Sequence, residues 1–498
     1  MHLIPSKISS KNRKFWVISL LAFVVVANII LSMTLGLTID EAHYSLYGQH
    51  LDWSYYDHPP MVGWIQAFMG QFGSSGPWSE LGVRLPSWIF LFLNLGSIYC
   101  LTQRFFIKNT EIEAVFLYLG APLFCALGIF FIPKVPSLFF SCWVAYFLCL
   151  SQERKGLTPW IGLGFALGFA ALSEYTAVLL ALGIALYLIL KSPRSFLSPG
   201  PYIAAILTLL LISPVLIWNY QHDWISILYQ LHHGYGHSDW NWGKFLTGLL
   251  IQIPSYGPAL VVLGVLGSLK ILKSWRDPSS HILVYLAWPT LLIFAYSGGT
   301  QSLHPHWTAL GWMLLIPLAS RYLMEYGSLI WVKRLFYASL LWIGFVYLVL
   351  GVGIASLTGL IPPFMLHHKN VLRAAENIRP IALEAVKLRS ELKTPHPMIF
   401  VNSHALASRF AWYADSPVQI TPLNKVSQRD FWFGTPNEES NGILVAPEGT
   451  AQPKATSTEA GEFAECRPLK NLELKARNRV IDRYYFYHCW HYNTGRSL

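Results

Sequence analysis

Long apolar stretches separated by short polar segments fill the first 360 residues of the chain. The first of them, Trp16 to Leu37, carries no charge and exceeds the roughly twenty residues that a helix needs to cross a ~30 Å hydrocarbon core. Further apolar stretches lie at 86–103, 112–132, 137–152, 159–173, 176–190, 201–218, 245–269, 281–298, 307–322 and 335–360. Several are shorter than an upright span, so their ends are soft, and the pattern predicts about eleven crossings. After Leu360 the pattern changes. Val371–Leu392 is expected to be helical, interrupted at Pro380, and Ala405–Tyr413 is a second helical stretch. Short apolar runs at Met398–Val401, Val418–Thr421, Phe431–Phe433 and Gly442–Val445, set between Pro, Gly and Asn, suggest a small α/β domain. Pro447–Thr458 is expected to be a mobile loop. The expected division is therefore a membrane domain over 1–360 and an extracytoplasmic domain over 361–498.

Composition agrees with this pattern. Only 12% of residues are charged, 53% are hydrophobic and 15% aromatic, and the mean hydropathy is +0.40. A soluble domain of this length carries about twice that share of charge. Charge also sets an expected orientation. Arg104 and Lys108, Arg154 and Lys155, Lys191 and Arg194, Lys270, Lys273 and Arg276, and Lys333 and Arg334 fall in alternate loops, on the side of the basic N-terminus. Asp40, Glu41, Asp52, Asp57, Glu80, Asp223 and Asp239 fall in the others. By the positive-inside rule the N-terminus is cytoplasmic, and an odd number of spans places the tail outside with the long loops 39–85 and 219–244. The net charge of +10 then reflects cytoplasmic anchoring rather than nucleic-acid binding. The first span has no small-residue cleavage site before Asp40 and is expected to be retained. Cys100, Cys125, Cys142 and Cys149 lie within spans as small apolar residues. Cys466 and Cys489 lie in the tail, where spacing and count leave their pairing open.

The polar chemistry gathers just after the first span. Asp40, Glu41 and His43 are followed by Asp52, Asp57 and His58, the last two within Tyr55-Tyr56-Asp57-His58-Pro59-Pro60. Acids at a membrane edge are costly unless used, which makes this a candidate site; the alternative is a loop that caps the helix. Asp40-Glu41-Ala42-x-Tyr44, Tyr-x-Asp57-His58-Pro-Pro and Arg84-Leu85-Pro86, in that order, resemble the polyprenyl-phosphate-sugar-dependent glycosyltransferases of the GT-C type, in particular the bacterial relatives of protein mannosyltransferases and of the lipid A aminoarabinose transferases. Weaker echoes are Ser173-Glu174-Tyr175-Thr176, Ser213-Pro214 with Trp218-Asn219 and Trp224, His232–Gly236, and Pro305-His306-Trp307.

The resemblance implies a multi-pass protein of a bacterial cytoplasmic membrane. Such a protein takes a sugar from a polyprenyl-phosphate carrier and delivers it to a lipid, glycan or protein acceptor on the outer face, with inversion. On that reading Asp40 deprotonates the acceptor, and Glu41 orients the acceptor or caps the helix. Arg84, His58 and Lys134 meet the departing phosphate. Tyr44, Tyr56, Asp57 and Glu174 organise the site. No metal and no cofactor is expected, since a monophosphate donor lacks the diphosphate that a metal clamps. The alternative, a metal site built from His43, His58, His232, His233 and His237, fits no standard ligand spacing. Where relatives often read Pro-Asp and Ser-Lys-Tyr-Thr, this chain has Pro133-Lys134 and Ser173-Glu174-Tyr175. The local charge sum is conserved by that exchange, so Lys134 and Glu174 are expected to touch. The other readings are a transporter or flippase of lipid-linked sugars and a noncatalytic relative.

Overall fold

The computed structural model describes residues 10–70, 79–106, 110–235, 239–274, 278–357, 377–401, 404–420, 427–434, 436–437, 439–448, 463–476 and 479–492. The expected domain boundary at 360, most of the expected Pro447–Thr458 loop, and Gly236 and His237 of the histidine-rich stretch lie outside them. The chain divides into two compact units: Met1–Leu31, Asp52–Ile65 and Arg84–Leu348 in one, and Ser32–Leu51, Gln66–Val83 and Val349–Leu498 in the other.

The first unit is helical. In chain order, α1 (Ser10–Thr34), α2 (Ile39–Gln49), α3 (Met61–Gly70), α4 (Ser79–Phe105), α5 (Glu111–Leu119), α6 (Pro122–Ala126), α7 (Lys134–Glu153), α8 (Thr158–Ser173), α9 (Val178–Lys191) and α10 (Gly200–Gln221) are followed by α11 (Ile225–Tyr235), α12 (Trp242–Leu250), α13 (Gln252–Tyr256), α14 (Pro258–Leu272), α15 (Pro278–Ser297), α16 (Ala309–Tyr326) and α17 (Ile330–Leu357); α2 lies wholly in the second unit. All the expected spans overlap helix. Among the described residues, six helices are long and apolar enough to cross a membrane, and a bent pair makes up to seven. Two of the expected stretches are broken. The stretch 112–132 stops at Gly120-Ala121 before Pro122 restarts it. The stretch 245–269 turns by 111° between Tyr256 and Pro258.

That turn has a local cause. Gly257 has φ +78°, a conformation that costs glycine little, and Pro258 opens the next helix where its missing N–H is harmless. A Cβ on Gly257 would stand 2.8 Å from the Gly120 carbonyl oxygen. The freed backbone groups find partners on α17: the Ala259 N–H donates to Ser339 Oγ at 2.9 Å and Trp342 Nε1 donates to the Pro254 carbonyl at 2.7 Å. This is how a broken helix is tolerated in apolar surroundings. Close helix packing uses small residues in the same way. A Cβ on Gly164 of α8 would meet the backbone of Ala204 on α10 at 2.9 Å, so these helices approach to near backbone contact.

The second unit is an α/β domain with a five-stranded sheet of order β2-β1-β3-β5-β4. Strands β1 (Met398–Val401), β2 (Val418–Ile420) and β3 (Gly442–Pro447) are parallel, while β5 (Arg479–Tyr492) runs antiparallel to both β3 and β4 (Phe463–Ala476). Helices α18 (Arg379–Glu391) and α19 (His404–Ala414) bury Ile381, Ala385 and Phe410 in one core with Ile399, Val401, Ile443 and Val445. Phe400, Leu444 and Tyr492 form a separate core, as strand alternation requires. Two details differ from the expectation. Phe431–Phe433 ends a short helix, α20 (Gln428–Phe433), opened by a capping box between Ser427 and Asp430. Pro380 stands in the first turn of α18, and 371–376 of the expected Val371–Leu392 helix lie outside the described residues. The long β4–β5 hairpin was not foreseen, because its outer strand alternates weakly and is largely exposed.

Cys466 and Cys489 face each other across that hairpin and form a disulfide. With a sequence separation of 23, the crosslink is expected to contribute about 3 kcal/mol through the unfolded chain. Reduction of the intact protein with dithiothreitol should therefore lower the unfolding temperature of this unit; an unchanged melt would show that the crosslink adds nothing.

Candidate active site

Asp40 and Glu41 occupy the first turn of α2 and do different things. Thr38 is the N-cap. Its N–H and hydroxyl both donate to Glu41 Oε2, at 2.9 and 3.0 Å, while the Glu41 N–H donates to Thr38 Oγ1 at 3.3 Å. This is a reciprocal capping box, and it occupies the carboxylate of the fully buried Glu41. Asp40, one residue earlier and so about 100° around the helix, is exposed.

Within the second unit, α2 is held by the C-terminal part of the chain. Leu46 enters the core formed by α18, α19 and the sheet. Leu37, Ala42 and Val83 pack with Trp412. The Tyr413 hydroxyl accepts from the Leu37 N–H at 3.1 Å and donates to Glu80 Oε1 at 2.8 Å. Burial, with help from Glu80, raises the pKa of this hydroxyl, so it stays protonated and able to donate. His43 Nδ1 lies 3.3 Å from Ser408 Oγ, and Tyr44 is buried beside His43 and Tyr47.

The first unit holds the other candidates and brings several of them together. Lys134, at the start of α7, and Glu174, at the end of α8, are both buried, with Nζ 2.6 Å from Oε2. The expected contact is therefore present. The pair is close in distance but off the hydrogen-bond angle, and Lys134 Nζ also donates to Thr176 Oγ1 at 3.4 Å. Just beyond, Tyr175 ties three segments together. Its hydroxyl lies 2.7 Å from Ser226 Oγ and 3.4 Å from Ser54 Oγ, and it accepts from Asn219 Nδ2 at 3.4 Å. Trp218 Nε1 donates to Asp52 Oδ2 at 2.9 Å, and Gln230 donates to the Asp57 carbonyl. Tyr56 packs against Tyr229, ring centroids 4.7 Å apart. Burial and the neighbouring Asp57 push the Tyr229 hydroxyl up to about 12. Asp223 and Trp224 take positive φ, 53° and 60°, turning the chain from α10 into α11 so that it returns over the 52–58 loop. Arg84 is fully buried in α4.

Sequence reasoning missed the histidines between α15 and α16 as members of this cluster. His304 and His306 are ring neighbours, 5.8 Å apart. Burial first, and the charge of Lys134 second, lower the pKa of His306 to about 4, with His304 and His58 adding to the effect. His58, Lys134, Glu174, His304 and His306 thus share one electrostatic neighbourhood. The sequence signal for it was Pro305-His306-Trp307, noted only as a weak echo. A histidine held neutral on folding costs stability as the unfolded chain takes up a proton. His306 therefore destabilises the fold progressively as pH falls from 6.5 toward about 4. His306→Asn is expected to flatten that part of the pH dependence of thermal unfolding in detergent; identical profiles would remove His306 as its source. Among the described residues no three His, Cys, Asp or Glu side chains converge as a metal-ligand set.

Comparison with known proteins points in one direction. A family model described as dolichyl-phosphate-mannose-protein mannosyltransferase matches residues 57–218. The lipid A galacturonosyltransferase RgtD of Rhizobium johnstonii is 24% identical over 276 residues, which is 54% of this chain and 57% of that protein. The match spans little more than half the length of this curated relative. Two crystal structures of ArnT from Cupriavidus metallidurans share the fold. The one bound to undecaprenyl phosphate has a TM-score of 0.65 at 14% identity, and the apo form 0.62 at 13%; each covers 95% of this chain and 98% of theirs. The fold is the one these two ArnT structures share. The family-model and RgtD matches agree with the resemblance to polyprenyl-phosphate-sugar-dependent glycosyltransferases carried by the sequence motifs.

Proposed function

We propose that the protein is an integral membrane glycosyltransferase that moves a sugar from a polyprenyl-phosphate carrier to a lipid A, glycolipid, polysaccharide or protein acceptor. The reaction is placed on the outer face of a bacterial cytoplasmic membrane, with about eleven crossings, a cytoplasmic N-terminus and the C-terminal α/β unit outside. The observation that carries this reading is the convergence, in one unit of a GT-C fold, of the 52–58 loop, the buried Lys134–Glu174 pair and the His304–His306 segment. The Cys466–Cys489 disulfide supports the outer placement of the tail, since such bonds persist in oxidising compartments.

In this mechanism Asp40 takes the acceptor proton as the glycosidic bond of the donor breaks and an oxocarbenium-like centre forms. A single displacement inverts that centre. Arg84, with two parallel donors, and His58 receive the charge that grows on the leaving phosphate. Tyr44, Tyr56 and Asp57 organise the surrounding loops. Lys134 reaches the phosphate only by sharing its charge with Glu174. Glu41 serves the site through the cap that fixes the first turn of α2. The test is a turnover assay on membranes carrying the protein, with labelled polyprenyl-phosphate sugars and no nucleotide sugar, following lipid and protein fractions separately. Transfer that depends on the protein is the expected result. Protein-dependent movement of the lipid across the membrane without transfer would overturn it in favour of a transporter.

A further inference from the structure

A cavity of about 590 Å³ lies in the first unit, at the basic end of α1 and α17 and remote in sequence from the candidate active site. Its size falls within the 300–1,000 Å³ typical of ligand pockets. Trp16, Leu20, Phe116, Phe336 and Leu340 supply apolar walls, and Arg13, Glu113 and Lys333 are its charged members. Arg13 to Leu20 and Lys333 to Leu340 are each seven residues along a helix, a rise of about 10 Å. Both helices start from the basic side, so the cavity has a charged end and an apolar end. At the charged end Arg13 is neutralised by Glu113, Nη1 to Oε1 2.7 Å, yet its buried Nε has no hydrogen-bond partner. Lys333 lines the same cavity, and no side-chain bond or ion pair engages it among the described residues. The lining side chains therefore carry a net charge of one positive, with Glu111 of α5 acting on Glu113 from outside the lining and the Tyr337 side chain one turn further along α17 on the same wall.

The geometry points to a binding site for an anionic glycerophospholipid, with its headgroup phosphate at Lys333 and one acyl chain between α1, α5 and α17. A zwitterionic lipid would fill the apolar end but leave the charge unmatched. A soluble anion would meet the charge and leave the walls wet. Neither satisfies both ends. The bounding helices α1 and α17 are largely uncovered, with only 22% and 17% of their apolar windows buried by protein, so a membrane lipid can enter from the side.

The test uses the full chain reconstituted with equal phosphatidylglycerol and phosphatidylcholine, then stripped in mild detergent and examined by native mass spectrometry. The wild type is expected to retain phosphatidylglycerol several-fold over phosphatidylcholine. Lys333→Gln should remove that preference, and Ser19→Phe, which fills the cavity while leaving the charge, should lower retention of both lipids. An unchanged preference in Lys333→Gln would overturn the proposal. So would displacement of phosphatidylglycerol by inorganic phosphate alone, which would make the site one for a free anion. Because lipid retention is read and not sugar transfer, the outcome stands apart from that of the turnover assay.

Discussion

Asp40→Asn is expected to abolish sugar transfer while leaving the fold and the binding of polyprenyl phosphate in place. Loss of a general base costs about 10²–10⁴ in rate, a barrier increase of about 3–5 kcal/mol. The structural cost is much smaller. Asp40 is exposed in the first turn of α2, where losing a charge at the helix N-terminus costs about 0.3–1 kcal/mol. The two effects are thus well separated, and a fall in kcat with an unchanged melting temperature is the signature. Glu41→Gln supplies the contrast. It weakens a cap, worth about 0.5–2 kcal/mol, so its main effect should be on thermal stability. Transfer by Asp40→Asn at the wild-type rate would remove Asp40 from the base role.

Lys134→Glu should be the most damaging single change in the first unit, and Glu174→Lys added to it should restore the protein. Removing one partner of a buried ion pair costs about 3–5 kcal/mol. Here the change also sets two carboxylates against each other in a site where both residues are buried. The reversed pair keeps the charge sum and changes mainly the position of the ammonium. Melting temperature and transfer are to be measured on both variants. If the double variant stays as unstable as the single one, the ion pair is not what Lys134 contributes. If it folds but does not transfer, the ammonium acts on the donor phosphate from its own position in α7.

Much of this was legible in the sequence, for reasons tied to particular residues. Apolar length marked where helices form, since every expected span overlaps one, although six or, with the bent pair, seven among the described residues are long and apolar enough to cross a bilayer. The Lys134–Glu174 contact followed from charge conservation at a membrane edge, where an isolated charge is expensive. Local signals failed where the cause is non-local. Nothing near Gly257 says that Ser339 and Trp342, about eighty residues later, will satisfy the broken helix. The neutral state of His306 depends on burial and on Lys134, which periodicity does not report. The sequence leaves Glu41 either to orient the acceptor or to cap its helix, and only the structure shows its carboxylate turned back onto Thr38.

Residue 43 meets residue 408, and residue 37 meets residue 413, across separations of 365 and 376 positions. A ribosome finishes α2 long before it begins the surface on which α2 rests. Until α19 emerges, Leu46 has no core to enter, and the short helix that carries Asp40 has only its Thr38 cap and the contact of Ala42 with Leu37 and Val83 to hold it. Isolated helices of that length are marginal in water. The acidic segment thus acquires its final form among the last steps of biogenesis, so a partly made chain cannot yet hold Asp40 where the proposed reaction needs its base.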